Sequence, residues 1–278
     1  MLLYGKPVAD SVLEGIGAEI KAGVRPKLGI VLVGEDPASQ IYVRNKLESA
    51  KKIGMEAELF HLPRSAKEGE VLSLVDRLNR DMQIDGFIVQ LPLPAHINAD
   101  RVLGAIRPEK DVDGLHPLNM GRVLLNLDEG FSPATPSGIM MLLEHYKVKI
   151  AGANAVVVGR SSIVGKPVAA MLLSRDATVS VCHSKTKNLS DYTKNADILV
   201  VAAGKPGLIK PGMVKDGAYV VDAGTSRVNG KTVGDVDPAV QKKAHLSPVP
   251  GGVGLLTVAL LLQNTLKAAK MRKSANKG

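Results

Sequence analysis

Short unbroken apolar runs, set among stretches with helical periodicity, constrain this chain more than any other feature. Residues 28–33 form such a run and end at Gly34; residues 87–89 form another, stopped by Pro92 and Pro94. Runs this short and continuous fit strands buried on both faces, as in a parallel sheet covered by helices. Around them, apolar residues recur at helical spacing: Val8, Val12, Leu13, Ile16 and Ile20, then 39–53 up to Gly54, then 67–78. With a further strand predicted at 58–62, the order is βαβαβ and the crossovers are right-handed.

A seam follows at 108–117, and the alternation resumes beyond it. A helix is predicted over 135–146, with Pro136 near its first turn. Strands are predicted at 155–158, 178–182, 198–201 and 219–222, with helix around 168–173 and a long last helix over 255–270. The second sheet reads as complete at 222, so the last helix is expected to return to the first domain. The expected class is α/β, with two αβ domains built on parallel sheets and a ligand cleft between them. The expected boundaries are 1–118 joined by 255–270, and 119–254. No fixed-period repeat or low-complexity stretch interrupts this plan.

Composition removes several function classes. The 278 residues are 45% hydrophobic and 23% charged, too apolar for disorder and enough for two cores. A single cysteine, Cys182, excludes an intramolecular disulfide and any thiolate-clustered zinc or iron–sulfur centre. A reducing, cytoplasmic home is expected. Residues 1–6 do not resemble a signal peptide. The longest apolar stretch, 253–262, is broken by Gly254 and Thr257 and is far short of the roughly 20 residues that span a bilayer. No membrane partner is therefore expected. The net charge of +9 suits nucleic acid or small anionic ligands. Aromatics are only 3% and Trp is absent, so base-stacking platforms are hard to build and nucleic acid is not the expected partner. The basic run from Lys267 to Lys277 reads as a solvated helix end whose cations suit the helix dipole.

A dinucleotide turn is expected where the strand at 155–158 meets the next helix. Gly159 and Gly165 flank Arg160, Ser161 and Ser162; Ser161 stands where a second glycine would be, and Gly165 comes one residue late. A plain strand-to-helix turn is the alternative. The following strand ends Cys182-His183-Ser184-Lys185, without the carboxylate that grips a ribose diol in NAD sites. Arg160, Ser184 and Lys185 can instead hold a 2′-phosphate, which favours NADP. His183 is given no chemistry.

In the first half, Tyr42 and Lys46 are four apart on one predicted helix, with Ser39 a turn earlier. A phenol can orient an amine or shift its pKa, and a lysine in a dry cleft becomes a usable base. A surface pair is the plain alternative. Gln90 follows a buried strand, where open parallel sheets bind ligands, although Pro92 and Pro94 could make this only a stiff loop. Asp111 and Asp113 are either turn formers or, one of them, a carboxylate for a polar heterocycle. Pro248-Val249-Pro250-Gly251-Gly252-Val253-Gly254 is either a backbone surface for a flat ligand or a stiff linker.

Six motifs, in this order, resemble the bifunctional methylenetetrahydrofolate dehydrogenase/methenyltetrahydrofolate cyclohydrolase family. They are the run from Pro37 to Lys46, Val89-Gln90-Leu91-Pro92-Leu93-Pro94, Lys110-Asp111-Val112-Asp113-Gly114, Val157-Val158-Gly159-Arg160-Ser161, Cys182-His183-Ser184-Lys185-Thr186, and the run from Pro248 to Gly254. The resemblance implies folate in a cleft between two α/β domains and NADP on the Rossmann-like second domain. It implies oxidation of 5,10-methylenetetrahydrofolate by hydride transfer to NADP⁺, then hydrolysis of the methenyl cation to 10-formyltetrahydrofolate. By resemblance, Lys46, Tyr42 and Gln90 are catalytic and Asp113 holds the pterin end. Ser39, Val89, Leu91, Pro250, Gly251, Gly252, Val253 and Gly254 join them in the folate site. Gly159, Arg160, Ser161, Gly165, Ser184 and Thr225 fall to the cofactor. A homodimer through the second domain is expected and no metal is. Glutamate tails on the folate would give the positive charge a partner. Two residues depart from the family pattern: Leu255 where proline is usual, and Thr225 where an apolar residue is usual. The rival readings are a shikimate-type or amino-acid dehydrogenase of similar plan, and a basic nucleic-acid-binding protein.

Overall fold

The computed structural model describes residues 1–275. The chain divides into two compact units. One holds Ser11–Arg122, Glu129–Ser132 and the chain from Val258 onward; the other holds Met1–Asp10, Val123–Asp128 and Pro133–Thr257. Helices α1 (Lys6–Lys21) and α9 (Val253–Ala275) contribute residues to both.

The first of these is built on β1 (Lys27–Val33), β2 (Glu56–Leu62) and β3 (Gly86–Val89), in the order β2-β1-β3 and all parallel. Central β1 is buried from Leu28 to Val33, as its unbroken apolar run requires. Val31 and Val33 share a core with Leu74, Leu78, Phe87 and Val89. Helix α2 (Pro37–Lys52) follows β1, and α3 (Glu68–Arg80) follows β2. Edge strand β2 begins at Glu56, two residues before its predicted start, and alternates between exposed and half-buried residues. Short helices α4 (Ala99–Gly104) and α5 (Pro117–Leu124) were not foreseen; each is too short for a periodic pattern to show.

The basic end of α9 keeps Lys267, Lys270 and Lys273 exposed, as expected, but is tethered to this unit. Lys270 pairs with Glu19 at 2.7 Å, and Arg272 Nε lies 2.7 Å from Asp85 Oδ1. Lys267 donates to the Gly130 carbonyl at 2.6 Å. Lys277 lies outside the described residues. The Asp85 side chain is fully buried and also accepts the Lys27 N–H at 2.8 Å. An Arg272→Met variant should therefore unfold about 2 kcal/mol more easily in urea. This is below the range for a fully buried pair because Arg272 is one-third exposed.

The other unit carries β4 (Asn154–Val158), β5 (Thr178–Cys182), β6 (Ile198–Val201), β7 (Tyr219–Asp222) and β10 (His245–Leu246). Their order is β10-β7-β6-β4-β5, all parallel. Helix α6 (Ala134–His145) precedes β4, α7 (Gly165–Leu173) follows it, and α8 (Leu189–Thr193) follows β5. The sheet does not end at β7. Two-residue β10 extends it, and Leu2 bridges Leu246 in parallel. Leu3 N–H bonds the Leu246 carbonyl at 2.9 Å, which is why residues 1–10 cluster here rather than with the rest of 1–118. A small antiparallel hairpin, β8 (Ser226–Val228) and β9 (Lys231–Val233), turns at Asn229-Gly230, both at positive φ.

Candidate active site

Lys46 is buried because of where α2 begins. Asp36 caps the helix by accepting the Ser39 N–H at 2.8 Å, with Pro37 in the first turn. That start sends Ser39, Val43, Lys46 and Ala50 inward on one stripe. Lys46 is 8% exposed, and its Nζ donates to Gln90 Oε1 at 2.8 Å. Gln90 leaves the end of β3, where its N–H bonds the Val31 carbonyl, and its Nε2 donates to the Leu91 carbonyl at 2.6 Å. Burial lowers the Lys46 pKa from the ordinary lysine range, and only the Asp113 charge opposes this. Burial likewise raises Asp113, opposed by Lys46. Tyr42 takes no part in that shift; it stands one turn before Lys46 and is 38% exposed. Val89 sits in the core, with Leu91 packed against it, and the Gln90 side chain hydrogen-bonds Lys46.

Asp111 and Asp113 stand in different surroundings. Asp111 is the turn former: it accepts the Leu115 N–H at 3.1 Å, the His116 N–H at 2.8 Å and Asn119 Nδ2 at 2.8 Å. Burial nevertheless pushes its carboxyl up to about 6. Lys110 ties the same loop down by donating to the carbonyls of Leu78, Asp81 and Ile84. Asn264, on α9, donates to the Val112 carbonyl at 2.9 Å and to that of Ser132 at 3.0 Å. Asp113, in the same loop, acts on Lys46 through its charge. Sequence reasoning missed Asn264 and the anchoring by Lys110, because both act on backbone far away in the chain.

In the five-stranded unit, strand order reverses at β4, which opens a crevice at the carboxyl ends of β4 and β6. Gly159 stands there at φ +133°, and a Cβ on it would fall on the Ala202 carbonyl. A Cβ on Gly165 would fall on the Gly159 carbonyl, so both glycines serve backbone-to-backbone packing. Ser161 holds the turn into α7: its Oγ accepts the N–H groups of Val164 at 3.1 Å and Gly165 at 3.2 Å. Val158 pairs with Cys182 across β4 and β5, so Arg160 and Ser184-Lys185 leave neighbouring strand ends, all exposed. No carboxylate stands at the end of β5. These residues fit a dinucleotide that carries a 2′-phosphate. Thr225 is exposed beyond β7, with β6 lying between β7 and β4.

The loop Pro250–Gly254 belongs to the same unit and is braced rather than a plain linker. Val249-Pro250 is cis, Gly251 lies at φ +110°, and its carbonyl accepts the Gly5 N–H at 2.9 Å. Gly252 and Val253 are buried; Pro250 and Gly254 are exposed.

Family models match both parts of the chain. The tetrahydrofolate dehydrogenase/cyclohydrolase catalytic domain matches residues 3–113, and the NAD(P)-binding domain of the same family matches residues 133–273. The bifunctional protein FolD of Aquifex aeolicus is 48% identical, covering 98% of this chain and 96% of its own. The FolD methylenetetrahydrofolate dehydrogenase/cyclohydrolase of Campylobacter jejuni superposes with a TM-score of 0.95 at 46% identity, covering 98% of this chain and 99% of its own. The Trypanosoma brucei enzyme, solved with NADP cofactor and inhibitor, gives 0.93 at 38% identity, covering 98% and 97%. Shikimate 5-dehydrogenase of Thermus thermophilus, at 15% identity and a TM-score of 0.52, shares the fold alone. With family models matching most of its length and a relative 48% identical along nearly all of it, this chain belongs to the tetrahydrofolate dehydrogenase/cyclohydrolase family.

Proposed function

We propose that this enzyme oxidises 5,10-methylenetetrahydrofolate with NADP⁺ and hydrolyses the methenyl product to 10-formyltetrahydrofolate. The observation that carries this reading is the buried Lys46 amine, bonded to Gln90 and opposed in its lowered pKa only by the Asp113 charge. Beside a cationic methenyl bridge, a neutral amine is easier to accommodate than an ammonium. Lys46 in that state takes a proton from the attacking water, and Gln90 Oε1 keeps the amine directed. Asp113 binds the polar edge of the pterin through its N–H groups. Exposed Tyr42 stacks on the ligand, and buried Ser39 lines the site a turn earlier on α2. Pro250, Gly251, Gly252, Val253 and Gly254 offer backbone to the flat ring.

NADP⁺ supplies the hydride acceptor. Gly159, Ser161 and Gly165 shape the turn for its pyrophosphate, Arg160 and Ser184 hold its 2′-phosphate, and Thr225 lies toward the nicotinamide end. The unit built on β1, β2 and β3 is the proposed folate-handling domain, and the five-stranded unit the NADP domain. A cytoplasmic homodimer is proposed, paired through the five-stranded unit. There β5, Thr-Val-Ser-Val-Cys, is an edge strand without charge or proline, and Val181 is 42% exposed. Polyglutamate tails on the folate would meet a chain of net charge +9.

A spectroscopic assay tests the activity. Methylenetetrahydrofolate with NADP⁺ should yield reduced cofactor, and added methenyl compound should decay faster than without enzyme. Reduction with neither NADP⁺ nor NAD⁺ would remove the dehydrogenase reading. An Arg160→Ala variant should bind NADP⁺ about tenfold more weakly, the worth of one charge-assisted contact, with NAD⁺ affinity little changed. Titration calorimetry with the two cofactors checks this; equal weakening would show that Arg160 does not read the 2′-phosphate.

A further inference from the structure

Two aspartates at the carboxyl edge of the five-stranded sheet have no role in the site as read so far. Asp222 closes β7 and is 3% exposed; Asp235 follows β9 and is fully buried. Asp222 Oδ1 accepts the N–H groups of Gly224 at 2.9 Å and Asp235 at 3.1 Å, and Oδ2 accepts that of Val236 at 2.9 Å. Asp235 Oδ2 accepts the N–H groups of Ala203 at 2.7 Å and Gly204 at 2.8 Å. Its Oδ1 is buried with no hydrogen-bond partner. A Cβ on Gly224 would fall inside the Asp235 carboxylate, so that glycine packs directly on it.

These bonds run along the crevice edge. Ala202 follows β6, bonds the Val158 carbonyl through its N–H at 2.8 Å, and presents its own carbonyl to Gly159. The segment after β6 is thus held between the Gly159 turn on one side and Asp235 on the other. Asp235 rests on Gly224, and Gly224 is bonded to Asp222. Among the described residues, neither carboxylate has a cationic partner within ion-pair distance. Burial and the neighbouring Asp235 charge push Asp222 up to about 6. Buried carboxylates held by backbone alone are costly, and such costs collect where loop placement matters to function.

We propose that Asp235, braced by Asp222, is a positioning residue for the cofactor. It fixes the Ala203-Gly204 and Gly224-Thr225 backbone against the Gly159 turn, so the dehydrogenase reaction depends on it and the cyclohydrolase reaction does not. The proposal rests on the reading that NADP binds this unit.

Three variants test it. Asp235→Ala removes the acceptor, and Asp235→Asn keeps one oxygen for both N–H groups. Gly224→Ala leaves Asp235 intact but drives a methyl into its carboxylate. Asp235→Ala and Gly224→Ala should each weaken NADP⁺ binding by about 30-fold in calorimetry, as a backbone shift below 1 Å implies. Dehydrogenase kcat/KM should fall with it, while hydrolysis of added methenyl compound without cofactor stays within about twofold. Asp235→Asn should recover most of the NADP⁺ affinity. Equal loss of both activities, or unchanged NADP⁺ affinity in Gly224→Ala and both Asp235 variants, would overturn the proposal. A wild-type enzyme that neither binds nor reduces NADP⁺ would overturn the cofactor reading beneath it, a result distinguishable from failure of the variants alone.

Discussion

A Lys46→Met enzyme is expected to hydrolyse the methenyl compound about 10³-fold more slowly than wild type, within the range a positioned proton acceptor contributes. NADP⁺ affinity should not change, because Lys46 and the Gly159 turn belong to different compact units. Methionine nearly matches lysine in length and is apolar, so it fills the stripe between Val43 and Ala50 without a proton acceptor. Stability should stay near wild type, since two effects oppose. Gln90 Oε1 loses its partner, which destabilises. A buried amine whose pKa is lowered by folding is also lost. In the wild type, the destabilisation from that amine builds as pH falls from the ordinary lysine range to the lowered value, and is constant below it. Removing it stabilises the variant at neutral pH. The checks are stopped-flow decay of added methenyl compound, calorimetry with NADP⁺ and a thermal melt. Wild-type hydrolysis in this variant would take Lys46 out of its assigned role.

Gly159→Ala is the second large effect. An alanine there must hold φ near +133° and place its Cβ on the Ala202 carbonyl. The turn has to shift, and a shift of the order of 1 Å is expected to weaken NADP⁺ binding by about 100-fold. Strain and the lost fit should also lower stability by about 2–3 kcal/mol. Cyclohydrolase activity, measured without cofactor, should survive, because Lys46, Gln90 and Asp113 belong to the other unit and the Pro250–Gly254 loop is held through Gly5 rather than through the Gly159 turn. Calorimetry with NADP⁺ decides the matter; unchanged affinity would mean that this turn does not receive the cofactor.

How much could be read in advance depended on how local each signal is. Strands β6 and β7 match their predicted ranges residue for residue, because short buried apolar runs carry their own limits; edge strand β5 matches too, bounded by its β-branched residues. Strand β10 has only two residues, and its pairing with β7 and with Leu2 from the far end of the chain leaves no periodic trace. The hairpin β8–β9 has a local signal in Asn229-Gly230, a strong turn pair. The pairing of Tyr42 with Lys46 was a fair reading of helical spacing, yet burial rather than the phenol lowers the lysine, and spacing does not report depth. The lysines at the basic end of α9 are exposed, as its composition implies, but composition cannot name partners such as Glu19 and Asp85. Asp111 and Asp113, two apart in one loop, are separable only once the N–H donors around Asp111 are seen. Asn264 and Asp235 act on backbone remote in sequence, so nothing beside them in the chain announces their roles.

The most direct test of the account is the pH–rate profile of methenyl hydrolysis by the wild-type enzyme, corrected for the uncatalysed rate. If neutral Lys46 accepts the proton, the rate rises with pH as the ammonium is lost. It then levels off at a pH well below the ordinary lysine range, because burial lowers that pKa. The Lys46→Met enzyme should lack the rise. A wild-type profile that is flat, or that rises only in the ordinary lysine range, would contradict the assignment of a buried, neutral Lys46 as the base.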